Sequence, residues 1–305
     1  MDKSTKTVIM MLVGAATFGL YSASVSAEQP EIIPNGRGIG TRLHPPQGDA
    51  HAAAAAVSTN GISYHGGPVI LNGTHVYYIW YGNWGSAPAR TILPALAVGL
   101  SGSLYFNINT TYTNASGQRV LNAVSLSGQY VYPTPYKTTL TDADIQTIVG
   151  NSLTAGGVAY DAQGVYFVLT SPEVHESSGF CTQYCGWHTR FSWNGKDVKY
   201  SFVGDAATQC PGSCIASTST PNGDAGADGM ASVLAHELEE ATTDPDLNAW
   251  YDRRGNEDAD KCAWTFGTTK AAPNGAQYNM ILGTKYFLIQ QNWVNAAGGY
   301  CALSY

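Results

Sequence analysis

The chain has 305 residues, 44% hydrophobic and only 12% charged, with 34 Gly and 19 Tyr. Low charge with many glycines and aromatics excludes a disordered chain and points to a folded, loop-rich protein of the secreted type. A formal net charge of −7 leaves no basic surplus to neutralise phosphates, so a nucleic-acid partner is excluded.

Residues 1–27 read as a secretory signal peptide. Lys3 and Lys6 give a basic start, and Thr7 to Tyr21 is apolar but short for a membrane span. Val25-Ser26-Ala27 then offers a small-residue cleavage site. The predicted product is secreted, extracellular or periplasmic, with no membrane contact after cleavage. Residues 28–60 read as a flexible linker, with Pro30, Pro34, Pro45, Pro46 and the run Ala52 to Ala56.

Residues 61–305 are predicted to form one domain of about 245 residues, expected to be monomeric. Thr74 to Tyr81 is rich in β-branched and aromatic residues and reads as a buried strand. Apolar residues at helical spacing predict a helix over 87–105. Residues 119–126 and 128–132 read as two short strands. Thr141 is the predicted N-cap of a helix running to about Leu153. Gly164 to Thr170 and Val198 to Gly204 are further strands, with a cysteine loop and Gly186-Trp187-His188 between them. Asp228 is the expected cap of a helix over 229–243, stopped by Pro245. Lys285 to Ile289 reads as a last strand. The order predicts an α+β fold, a mixed sheet with packed helices, a zincin-like site helix and a loop-rich, disulfide-stapled C-terminal part.

Six cysteines follow the signal: Cys181, Cys185, Cys210, Cys214, Cys262 and Cys301. An even count in a secreted chain predicts disulfides. The first expectation is Cys181–Cys185, Cys210–Cys214 and Cys262–Cys301. A four-thiolate zinc site from the two C-x3-C pairs is the alternative.

Ala235 to Asp252 holds six of the chain's 22 acidic residues. Its HELEE core is an HExxH zinc motif in which Glu240 replaces the second His. Residues four apart share one helix face, so His236 and Glu240 can grip one ion. Glu237 stands where the general base of a zinc hydrolase belongs. The metzincin interval places the third ligand at Asp246, with Asp244, Asp252 or His188 as substitutes. Acids at the C-terminal half of a helix oppose its dipole by about 0.3–1 kcal/mol each, which a divalent cation would reverse. One alternative is a solvated acidic face. Another is a calcium loop starting Asp244-x-Asp246-x-Asn248, but Ala249 and Gly255 stand where the loop Gly and the bidentate Glu belong.

Four phrases, residues 64–84, 179–188, 202–214 and 221–230, resemble the EXORDIUM, or phosphate-induced, protein family. The resemblance implies secretion to the wall or outer space and, in plants, a link to growth and cell expansion, without a reaction. Plant members carry small or apolar residues where this chain has His236, Glu237 and Glu240, so the resemblance implies a microbial-type branch with an added HExxE motif. The expectation is a Zn2+-dependent hydrolase, most simply a metallopeptidase acting on an extracellular peptide or cell-wall substrate. The alternative is a non-catalytic surface protein with a structural ion, Ca2+ or none.

Overall fold

The computed structural model describes residues 61–133, 137–217 and 219–305, with residues 1, 34 and 35. Apart from those three residues, the expected signal peptide and linker lie outside the described residues.

Five strands make the central sheet: β1 (Thr74–Tyr81), β2 (Val124–Val131), β3 (Gly164–Thr170), β4 (Gly186–Trp193) and β5 (Lys196–Gly204). Their spatial order is β2-β1-β3-β5-β4. The first four neighbours run parallel, and β4 alone is antiparallel, at the edge. Every residue of β3 is buried, and seven of the eight in β1. Such runs are what parallel strands covered on both faces require. Alternate side chains of β1 serve opposite faces. Tyr78 donates to the Leu93 carbonyl on helix α1 (Ala89–Leu100), and Tyr81 donates to the Lys137 carbonyl ahead of helix α2 (Asp142–Thr154). The long helix α3 (Ala225–Thr243) packs on α1, β4 and β5.

Thr141 caps α2 as predicted, in a reciprocal capping box with Asp144. Four local expectations need correction. Helix α1 ends at Leu100, because the chain turns at Gly102, whose φ is +71°. The two short strands predicted over 119–132 are one strand with a bulge at Ser127. Leu126 pairs with Val76 and Gly128 with Tyr77, and a Cβ on Gly128 would lie 2.9 Å from the Tyr77 ring. Helix α3 starts one turn early, because Asp224 rather than Asp228 accepts the capping N–H, from Ala227 at 3.0 Å. Asp228 instead holds Asn222. Finally, the stretch with His188 is strand β4, joined to β5 by Asn194-Gly195, both with positive φ.

The disulfides are Cys181–Cys210, Cys185–Cys214 and Cys262–Cys301. The expected pairs within each C-x3-C are therefore replaced by two bridges between them. Both segments are tight turns, Cys181 N–H bonding Tyr184 O and Cys214 N–H bonding Cys210 O. The two turns are thus stapled to each other by both bridges. Short antiparallel hairpins fill the C-terminal part. Among the described residues, no helix is long and apolar enough to cross a membrane.

Candidate metal centre

Helix α3 is buried along nearly its whole length, acids included. His236, Glu237, Glu239 and Glu240 are each 0% exposed. The solvated acidic face weighed from sequence is therefore corrected. The sheet edge covers one side of this helix and the segment following it covers another.

The helix ends where Asp244 Oδ1 accepts N–H bonds from Asn248 and Ala249, both at 2.6 Å. Asp244 thereby caps a turn through Oδ1, while its Oδ2 is buried without a hydrogen bond. The chain returns through the strand pair Trp250–Tyr251 with Ser63–Tyr64. A turn follows in which Asp252 accepts from Arg254 and Asn256 N–H groups and pairs with Lys261 at 3.2 Å. Trp250 donates to Thr113 O and Tyr251 stacks on His65 at 3.6 Å, so both are packing residues. This path lays Glu257, Asp258 and Asp260 against α3. Asp260 N–H donates to Glu240 Oε1 at 3.1 Å, and Cys262, two residues on, is anchored to Cys301.

From the other side β4 presents His188, fully buried. The close approach needs Gly186, since a Cβ there would lie 2.5 Å from Val233 Cγ1 and 3.2 Å from Glu237 Oε1.

Two sets of ligand-type atoms result, His236 with Glu240 and Asp260, and His188 with Glu237 and Glu240. His236 Nε2 lies 2.9 Å from Glu240 Oε1 and 3.5 Å from Asp260 Oδ1. His188 Nδ1 lies 3.4 Å from Glu237 Oε2 and 3.5 Å from Glu240 Oε2. Despite these approaches, His236 Nε2, Glu237 Oε1, Glu240 Oε2 and Asp260 Oδ1 are buried without a hydrogen bond, as are Glu239 Oε1 and Glu257 Oε1. The 2.9 Å contact brings two atoms together without hydrogen-bond geometry. Buried polar atoms that converge yet stay unbonded are what a cation site offers.

Asp246, the third ligand expected from the metzincin interval, belongs to neither set. It sits beside Arg190, 3.6 Å away, on the outer part of β4. Pro245 and the Leu247 turn, at φ +59°, steer it off the helix axis. Asp260 takes its place. Sequence reading missed Glu257, Asp258 and Asp260, although three acids within four residues just before a disulfide cysteine were the available signal.

Electrostatics show the strain of these groups without a cation. Burial pushes Glu237 up to about 7, Asp258 to about 7 and Asp260 to about 6. It pushes Glu239 and Glu257 well above the carboxylate range. Burial would raise Glu240 too, but His236 and His188 on either side hold it down at about 2. Burial disfavours both imidazolium ions, yet the surrounding carboxylates win and raise both histidines.

Residues 62–296 match the phosphate-induced protein 1 conserved region. The chain belongs to this family. It is 30% identical to protein EXORDIUM-like 3 of Arabidopsis thaliana over 86% of this chain and 91% of that protein. It is 30% identical to Arabidopsis EXORDIUM-like 5 over 76% and 75% of the two chains, and 27% identical to protein PHOSPHATE-INDUCED 1 of Nicotiana tabacum over 65% and 69%. These names state no reaction, substrate or ligand. No solved structure matches. The family region takes in the sheet, α3 and the Asp260 segment, and stops short of Cys301.

Proposed function

We propose that this member of the phosphate-induced protein family is a secreted metalloprotein whose buried centre binds a divalent cation, zinc by its donor set, and uses it in hydrolysis. The observation that carries the reading is the convergence of His236 Nε2, Glu240 and Asp260 Oδ1, with buried atoms left unbonded. One imidazole and two carboxylates suit zinc, and three protein ligands without cysteine leave a fourth position for water, the catalytic pattern. A cation held there supplies Lewis acidity and lowers the pKa of its water. Glu237, one residue along the helix and raised to about 7, is the base that takes the proton at neutral pH. Asp260 donates its backbone N–H to Glu240 and so orients that ligand. The substrate class proposed is a peptide or wall polymer met outside the cell.

Complete burial favours a second reading, in which the cation is a structural staple and no reaction takes place. Hydrolysis requires the Glu257–Asp260 segment to open for substrate; a staple requires it to stay shut. Glu237→Gln separates the two. Under the first reading, cleavage of a denatured protein mixture, followed by mass spectrometry, falls by about 10²–10⁴-fold while zinc stays on the His236 set. Under the second, the wild-type protein cleaves nothing, and stripping its zinc lowers the melting temperature.

A further inference from the structure

Glu240 faces two ligand sets with two different oxygens. Oε1 approaches His236 Nε2 at 2.9 Å, and Oε2 approaches His188 Nδ1 at 3.5 Å. In the second set the other edge, His188 Nδ1 to Glu237 Oε2, is 3.4 Å. Ligand bonds of about 2.0–2.1 Å in a tetrahedral zinc site place ligand atoms about 3.3 Å apart, so these edges fit an ion as well as those of the first set do.

The second set has a further mark of a metal ligand. The far nitrogen of His188, Nε2, hydrogen-bonds the Asp244 carbonyl oxygen at 3.4 Å, with Glu257 Oε1 3.5 Å away. A backbone carbonyl or carboxylate behind the imidazole is how ligating histidines are commonly oriented. Glu257 Oε1, Glu237 Oε1 and Glu240 Oε2 are all buried and unbonded, and all belong to this side of the cluster.

Charge points the same way. Seven carboxylates crowd the centre: residues 237, 239, 240, 244, 257, 258 and 260. Among the described residues, their ion pairs are with His188 and His236 only. Two imidazoles face seven carboxylates, so a single divalent cation on the His236 set leaves the carboxylates on the His188 side without a cationic partner beyond that one imidazole. Uncompensated buried charge is strongly destabilising.

We propose that a second divalent cation binds at His188, Glu237 and Glu240, so that the Glu240 carboxylate bridges two ions. This rests on the reading of the His236 set as the first site. The consequence is regulatory. A chain carrying both ions has Glu237 engaged as a ligand and no base, so the two-ion form is the silent one and excess zinc turns hydrolysis off.

The test is equilibrium dialysis of the full mature chain against buffered free zinc at pH 7.5, with zinc per chain counted by elemental analysis. Two equivalents are expected in the wild type, one in His188→Ala and one in His236→Ala. A single wild-type equivalent that survives His188→Ala and is lost in His236→Ala overturns the second site and leaves the first standing. A single equivalent lost in His188→Ala alone, or no zinc at all, overturns both. If a variant does not fold by circular dichroism, the wild-type count decides, since anything below two equivalents at saturating zinc refutes the bridged pair.

Discussion

Asp246 and Asp260 divide the account most sharply at the scale of single residues. Asp260 faces His236 Nε2 at 3.5 Å, whereas Asp246 faces Arg190 at 3.6 Å. Asp260→Asn is expected to weaken zinc binding at least about tenfold, since even outer-shell partners of metal ligands are worth 10–100-fold. Asp246→Asn should leave zinc affinity alone and move stability by less than about 1 kcal/mol, as for other partly exposed ion pairs. Competition dialysis with a zinc chelator measures both. Interval counting assigned the third ligand to Asp246 because it assumes that the chain turns back under the helix by a Gly. Here Thr243, Asp244 and Pro245 make a different turn, and the carboxylate that faces His236 arrives 20 residues after Glu240 instead. No spacing rule in the sequence encodes that return. Only the fold brings it about.

Helix α3 and strand β4 account for what was legible among the elements and what was not. Strands β1 and β3 were readable because they are apolar runs buried on both faces, and β5 because its second half, Tyr200 to Gly204, is buried throughout. The α2 cap was readable because Thr141 and Asp144 carry a local hydrogen-bond logic. The burial of α3 was not. Four ionisable residues within five positions of a helix ordinarily mark a solvated face, and only packing between β4 and the Glu257–Asp260 segment reverses that. Strand β4 had a signal that went unused, Asn194-Gly195 between two alternating runs. Its tight seat on α3 leads to a prediction. Gly186→Ala drives a methyl into Val233, which cannot move freely in the core, and should cost about 1–3 kcal/mol in denaturant unfolding. At a site remote from the centre, Thr141→Ala should cost about 1 kcal/mol by loss of the cap and leave zinc binding unchanged.

In the molecule as a whole, a buried acidic centre is set inside an α+β scaffold closed by three disulfides. Cys262–Cys301 closes a separation of 39 residues and ties down the segment that carries Asp260. Loop-closure entropy assigns such a bridge about 4 kcal/mol. Cys262→Ser with Cys301→Ser should therefore lower both the melting temperature and zinc affinity. The disulfide pairing itself was beyond sequence, because crossed and local pairings of two C-x3-C turns share one spacing pattern. The pH response belongs to this scale too. In metal-free protein the carboxylates of Glu237, Asp258 and Asp260 titrate above their unfolded values, and so do both histidines. Groups with raised folded values stabilise below the unfolded value and lose that contribution as pH rises through the folded one. Glu240, depressed to about 2, is ionised in both states above pH 5 and adds no slope there. Chelator-treated protein is thus expected to melt at a higher temperature near pH 5 than near pH 8. Zinc-loaded protein should show the opposite trend, because protons displace the ion from its ligands. Parallel thermal melts across that window check both signs.

The most direct measurement is the metal content of the mature protein, purified at neutral pH without chelators. The account predicts at least one tightly bound equivalent of zinc per chain, with an X-ray absorption edge showing nitrogen and oxygen neighbours at about 2.0–2.1 Å and no sulfur. Less than about half an equivalent, under conditions that keep the histidines free to bind, would contradict it and leave the buried acids as a proton-holding core.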